Sequence, residues 1–157
     1  MKLNYVVGIK AWIESILFKE QRMKKVEVVA AIIINKGQIL CVERPEHRLA
    51  YISNKFEFPG GKIEKGETQQ EALARELLEE LSIKVSVDDH FITVDHQYPD
   101  FALTMHVYIV KVSSREVTLN EHVSLKWLNP EDLFAVDWAA ADIPIANKLK
   151  LTEWKSL

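Results

Sequence analysis

Between Thr68 and Ile83 the sequence commits to one local structure. Thr68-Gln69-Gln70-Glu71 has the spacing of a capping box, which starts a helix near Gln69. From there Leu73, Leu77 and Leu81 recur at i, i+4 and i+8, a stripe that faces a core. Glu76, Glu79 and Glu80 fall at i, i+3 and i+4 on a neighbouring face. Like charges at such spacing repel by roughly a few tenths of a kcal/mol. Just upstream, the glycines of Pro59-Gly60-Gly61-Lys62 let main chain approach a ligand closely. A solvated acidic face is the ordinary meaning of clustered glutamates. Their repulsion, placed directly after a glycine turn, favours another: hard carboxylate oxygens gathered for Mg²⁺ or Mn²⁺, with waters and substrate phosphates filling the shell.

Gly61, five residues, Glu67, seven residues, Arg75-Glu76-Leu77, one residue, Glu79-Glu80, one residue and Ser82-Ile83 together resemble the Nudix box, G-x5-E-x7-R-E-U-x-E-E-x-G-U. One fixed position departs. Ser82 stands where the family carries glycine, which would be a left-handed cap. Serine there costs roughly 1–2 kcal/mol and touches no metal, so a strained cap and a working site are expected. The resemblance implies an α/β/α Nudix fold, a mixed sheet sandwiched between helices, and extends from about Val26 to Leu149. It also implies Mg²⁺ as cofactor, with Mn²⁺ able to serve, held by Glu76, Glu79 and Glu80 with a carbonyl from Gly60. Glu67 is expected to pair with Arg75 and orient the loop against the helix. The general base falls on Glu76 or Glu121. Glu121, six residues before Trp127, is similar to the late metal-binding glutamate of MutT-like members.

Family substrates are nucleoside diphosphates linked to a further group, cut at a phosphoanhydride. Such chemistry needs in-line attack and neutralised phosphate charge, which metal ions supply. The segment Asn54–Glu64 resembles the MutT-like branch, which implies hydrolysis of a nucleoside triphosphate to the monophosphate and pyrophosphate. In that branch the residue matching Phe58 lies against the base and the one matching Lys62 meets phosphate. Arg44 is either a bidentate phosphate ligand or an ordinary exposed arginine. Ala140-Ala141-Asp142-Ile143-Pro144-Ile145 is similar to the branch's base-reading segment. There MutT itself has asparagine in place of Asp142, whereas the CTP pyrophosphohydrolase relatives have aspartate. An ionised Asp142 only accepts hydrogen bonds, which suits a cytosine amino group or the N7–H of an 8-oxo-purine. Asp142 is equally placed to cap the last helix. Tyr98 and Phe101 either stack on a base or pack. The substrates in view are 8-oxo-dGTP and CTP or 5-methyl-dCTP. Two other classes stay open: a nucleotide-sugar or dinucleotide pyrophosphatase, and a non-catalytic nucleotide-binding regulator.

A chain of 157 residues with 48% hydrophobic content is large enough for one domain. Its net charge of −3 argues against a nucleic-acid polymer as partner. Cys41 is alone, sits in an apolar run and reads as a buried strand residue in a reducing cytoplasm. No segment has the length to span a membrane, and no membrane partner is expected. Residues 1–22 read as an N-terminal extension, either a peripheral helix or the product of an upstream start, ahead of a single domain at 23–157. The domain is expected as a monomer or homodimer. Strands are expected at Val26–Ile34, Ile39–Glu43, Phe56–Phe58, Phe91–Gln97, Ala102–Val112 and Val123–Leu128. Helices are expected after Asn129-Pro130 and from Pro144 to about Leu151.

Overall fold

The computed structural model describes residues 2–87 and 89–153; Met1 and residues 154–157, the ends of the two expected segments, lie outside them. Helix α1 covers Lys2–Arg22 and leads into β1, Lys24–Asn35. β1 is the axis of the sheet because it is apolar on both faces. Ala30, Ile32 and Ile34 face one core while Val29, Ala31 and Ile33 face the other, and all six are buried. Strands β2 (Gln38–Glu43), β3 (Phe56–Glu57), β4 (Gly60–Lys62), β5 (Asp89–Gln97), β6 (Phe101–Lys111) and β7 (Ser124–Leu128) complete seven strands. The main path runs β3-β2-β1-β6-β5, with β4 beside β1 and β7 beside β2. β1 and β6 run parallel, Lys24 opposite Phe101 through Ile34 opposite Lys111, and the other pairings are antiparallel.

Two helices close the layers. α2 (Gln69–Leu81) sets Leu73, Leu77 and Leu81 on the Val29 face. α3 (Ile143–Leu151) sets Ile145, Ala146 and Leu149 on the Ala30 face. The expected α/β/α sandwich is therefore present. The described residues of α1 join neither core, and Ile9, Trp12 and Ile13 are exposed on it. Among the described residues no helix is long and apolar enough to cross a membrane.

β1 changes partner along its length, and this positions the glycine turn. Ile34 pairs with Ile39 of β2, whereas Val28, Val29 and Ala30 pair with Lys62, Gly61 and Gly60. A Cβ at Gly60 would collide with the Val29 carbonyl, so only glycine allows that approach. A segment that reads as a bare turn is thus a strand. Two other expectations shift. Phe58 leaves the β3 ladder because its N–H donates to Asp142 Oδ1 instead, at 2.9 Å. The helix after Asn129 is a short 3-10 segment, Pro130–Ala135, whose Leu133 carbonyl accepts from the Trp138 indole N–H at 2.6 Å.

Candidate active site

α2 begins as its sequence dictates. Thr68 Oγ1 accepts from the Glu71 N–H at 3.2 Å while the Glu71 carboxylate accepts from the Thr68 N–H at 2.8 Å. The helix ends on Ser82 in the left-handed region, φ 58° and ψ 31°. Its hydroxyl accepts from Asn120 Nδ2 at 3.2 Å, a partner glycine would lack. Between the caps, Arg75 gathers the acidic face. Nε donates to Glu67 Oε1 at 2.6 Å and Nη2 to Glu67 Oε2 at 2.9 Å, a bidentate pair. Nη1 reaches Glu76 at 2.7 Å and Glu79 at 3.4 Å, and Nη2 also reaches the Lys62 carbonyl at 3.0 Å. The Arg75 hydrogen bonds, with a second pull from the Glu64 N–H at 2.9 Å, hold Glu67 down at about 2.

Glu80, one residue on, is treated differently. It is buried, and Oε2 accepts from the Gly60 N–H at 3.2 Å. Burial pushes its carboxyl up to about 8, with Glu57, Glu121 and Glu76 adding to the push. Gly60 therefore meets the acidic face through its N–H.

The remaining expected residues line one cleft of about 750 Å³ running from Glu76 to Asp142. Arg44 does not stand free. Nε and Nη2 both donate to Glu57 Oε2, at 3.0 and 2.9 Å. Phe58 is 3% exposed and stacked on Trp138 at 4.6 Å between centroids, so it enters the cleft as part of a packed wall. Asp142 makes no side-chain cap to α3 and instead accepts from the Phe58 N–H. The capping role expected for it fails because the carboxylate turns back to Phe58, just past β3. Burial, with Glu57 second, holds Asp142 well above the usual carboxylate range, against the opposing pull of the Phe58 N–H and Arg44. Tyr98 is buried, accepts from the Ala141 N–H at 3.0 Å and stacks on Tyr51, which makes it a packing group. Lys62 and Glu121 are exposed residues of the lining, and Phe101 lies beside Tyr98.

Sequence reasoning missed Glu57 and His122. Glu57 Oε1 lies 3.0 Å from His122 Nε2 while its other oxygen holds Arg44. A signal was there. In Phe56-Glu57-Phe58 the strand period of two sends both rings to one face and the carboxylate to the other. His122 gave no such sign, since its burial depends on contacts far along the chain.

Among the described residues no three His, Cys, Asp or Glu side chains stand together as a closed metal cage, and Arg75 pairs with Glu76 and Glu79. The residues nevertheless fit a hard divalent cation. A Cβ at Gly61 would strike the Glu76 carboxylate, so the glycine keeps a space in front of that group. Glu80 lies buried beside it among carboxylates. The donors are all oxygen, as Mg²⁺ and Mn²⁺ require.

Comparison with known proteins agrees with this geometry. A NUDIX domain model matches residues 29–148. The chain belongs to the Nudix family. Over 123 residues it is 37% identical to the CTP pyrophosphohydrolase of Escherichia coli K12, covering 78% of this chain and 90% of that protein. Over 128 residues it is 34% identical to the 8-oxo-dGTP diphosphatase of the same organism, covering 82% and 98%. The solution structure of the E. coli ORF135 protein superposes with a TM-score of 0.71 at 34% identity, covering 83% of this chain and 92% of that one. Within the Nudix fold, α2 and the glycine strand carry the box and α1 lies outside the matched span.

Proposed function

We propose that this Nudix protein hydrolyses a nucleoside triphosphate to the monophosphate and pyrophosphate with Mg²⁺. One observation carries this: a single cleft has a carboxylate end built on α2 and a packed apolar end with one buried acid, Asp142. The first suits a metal-bound triphosphate, the second a base. Glu76, Glu79 and Glu80, with Glu121 and the Gly60 carbonyl, would hold the metal. When bound, it supplies charge neutralisation on the phosphate oxygens and acidifies water. Glu76 or Glu121 takes the proton of the attacking water. Lys62 and the outer edge of Arg44 orient phosphate oxygens, and Glu67 with Arg75 keeps the loop and helix in register. Asp142 reads the base edge, since one oxygen is occupied by the Phe58 N–H and the other is left for a ligand. The intact acidic set supports catalysis over a binding-only role.

The relatives' names put 8-oxo-dGTP and CTP first among substrates; 5-methyl-dCTP is a further pyrimidine with the same amino group for Asp142 to accept from. We take residues 23–157 as the catalytic domain and 1–22 as an extension. The substrate is a free nucleotide, not a nucleic-acid polymer, and the enzyme acts as a monomer or homodimer. A reducing cytoplasm suits it, given buried Cys41, whose thiol burial pushes up to about 12. The test is ³¹P NMR of 8-oxo-dGTP and CTP incubated with protein and Mg²⁺. Monophosphate and pyrophosphate are expected, and none with EDTA; diphosphate with orthophosphate, or no turnover, contradicts the proposal.

A further inference from the structure

We propose that His122 is a positioning residue that holds Glu121 in the cleft. Glu121 is exposed, and among the described residues its carboxylate has no hydrogen-bond partner. Something other than its own contacts must place it. The residues on either side do so. Asn120 ties the loop to the end of α2: its N–H donates to the Glu80 carbonyl at 3.0 Å and its Nδ2 to the Glu79 carbonyl at 2.7 Å. These are carbonyls a helix terminus leaves without partners. His122 ties the loop to β3, with Nε2 3.0 Å from Glu57 Oε1. Glu57 also receives Arg44, so it is itself fixed. Glu121 is thereby suspended between the metal-side helix and the strand that precedes the glycines.

The chemistry of the ring sharpens this. A carboxylate oxygen only accepts, so Nε2 donates to Glu57 and Nδ1 is left as the other polar atom of the ring. That nitrogen is buried with no partner, the one such side-chain atom found among the described residues. An unsatisfied buried polar atom is destabilising, which makes imidazole a poor choice for filling space. Its one bond, to Glu57, accounts for its presence. Mounting groups of this sort typically change metal affinity or activity by about 10–100-fold when lost.

The inference rests on the proposed role of Glu121, and the test separates the two. Mn²⁺ binding without nucleotide is followed by electron paramagnetic resonance, alongside kcat and KM for triphosphate hydrolysis, in wild type, His122→Leu, His122→Gln, Glu121→Gln and the His122→Leu/Glu121→Gln double variant. His122→Leu is expected to weaken Mn²⁺ and lower kcat by about 10-fold or more, with KM within about threefold. His122→Gln, which keeps a donor, recovers most of both. In the Glu121→Gln background His122→Leu adds less than about twofold, because the two act as one unit. Losses that multiply overturn the proposal, as does a Gln variant no better than Leu. If His122→Leu does not fold by circular dichroism, His122→Asn, too short to reach Glu57, replaces it in the cycle. Full turnover by Glu121→Gln removes the role of Glu121 and that of His122 with it, while triphosphate hydrolysis stands.

Discussion

The two ends of the cleft hold carboxylates in opposite electrostatic states. At the α2 end one guanidinium, Arg75, reaches Glu67, Glu76 and Glu79, and Glu67 is held at about 2. Along the floor, from buried Glu80 of α2 to Asp142, among the described residues Glu57 alone pairs with Arg44 and His122, and burial lifts Glu80 to about 8 and Asp142 well above its ordinary value. The first end is a balanced frame. The second holds carboxyls whose ionisation burial opposes, and a cation, or a base donating hydrogen bonds, would favour their charged form. This difference separates residues that build the site from residues that wait for ligand.

The largest expected effect removes a proposed ligand from the frame. Glu79→Gln should lower kcat/KM for pyrophosphate release beyond the roughly 10–100-fold that outer partners cost. Unchanged turnover would remove the metal assignment. Next comes the frame itself. Arg75→Ala should destabilise the protein by about 1–3 kcal/mol in urea melts, less than for a fully buried pair because its partners are part exposed. The pH dependence has a definite sign. Glu67 sits below its ordinary 4.5 when folded, so its contribution is present above about 4.5 and lost as pH falls toward 2. The Arg75→Ala variant should show a smaller acid-side loss, since only the Glu64 N–H then favours the charged form, and an acid limb identical to wild type would contradict the contrast between the two regions.

At the floor the sign reverses. Asp142 is raised from 3.8, so its contribution is full below that value and lost as pH rises through the folded one. Asp142→Asn keeps an acceptor for the Phe58 N–H and drops the charge. Its melting temperature in EDTA should exceed wild type by a few degrees at pH 8 and converge with it near pH 4. A lower melting temperature at pH 8 would show that the floor is not overcharged. The smallest effect belongs to the helix cap. Ser82→Gly relieves the left-handed strain but gives up the Asn120 bond, and a net gain below about 1 kcal/mol is expected in the same melts.

The frame was legible in the sequence because all its parts lie within Gly60–Ser82, where helical period, cap spacing and glycines each speak locally. The Glu67–Arg75 pair and the left-handed Ser82 were expected from the family resemblance that this spacing carries. The floor was legible only in part. Asp142 stood out, yet its partner is the Phe58 N–H, 84 positions away, and no local pattern encodes that contact. His122 and Glu57 are 65 apart, joined only once β7 pairs with β2 and β2 with β3. The strand at Gly60–Lys62 was hidden for a related reason. Glycines read as a turn until a partner strand lies close enough to need their missing side chains.

The central claim is that one cleft joins a triphosphate end to a base-reading end. The direct measurement is kcat/KM at low concentration for 8-oxo-dGTP, dGTP, CTP, 5-methyl-dCTP and ADP-ribose, in wild type and Asp142→Asn. Triphosphates are expected to exceed ADP-ribose, bases to differ by at least about 10-fold, and Asp142→Asn to reorder them, since a site built to hydrogen-bond a group discriminates strongly against its absence. Equal rates across bases, or fastest hydrolysis of ADP-ribose, would contradict it.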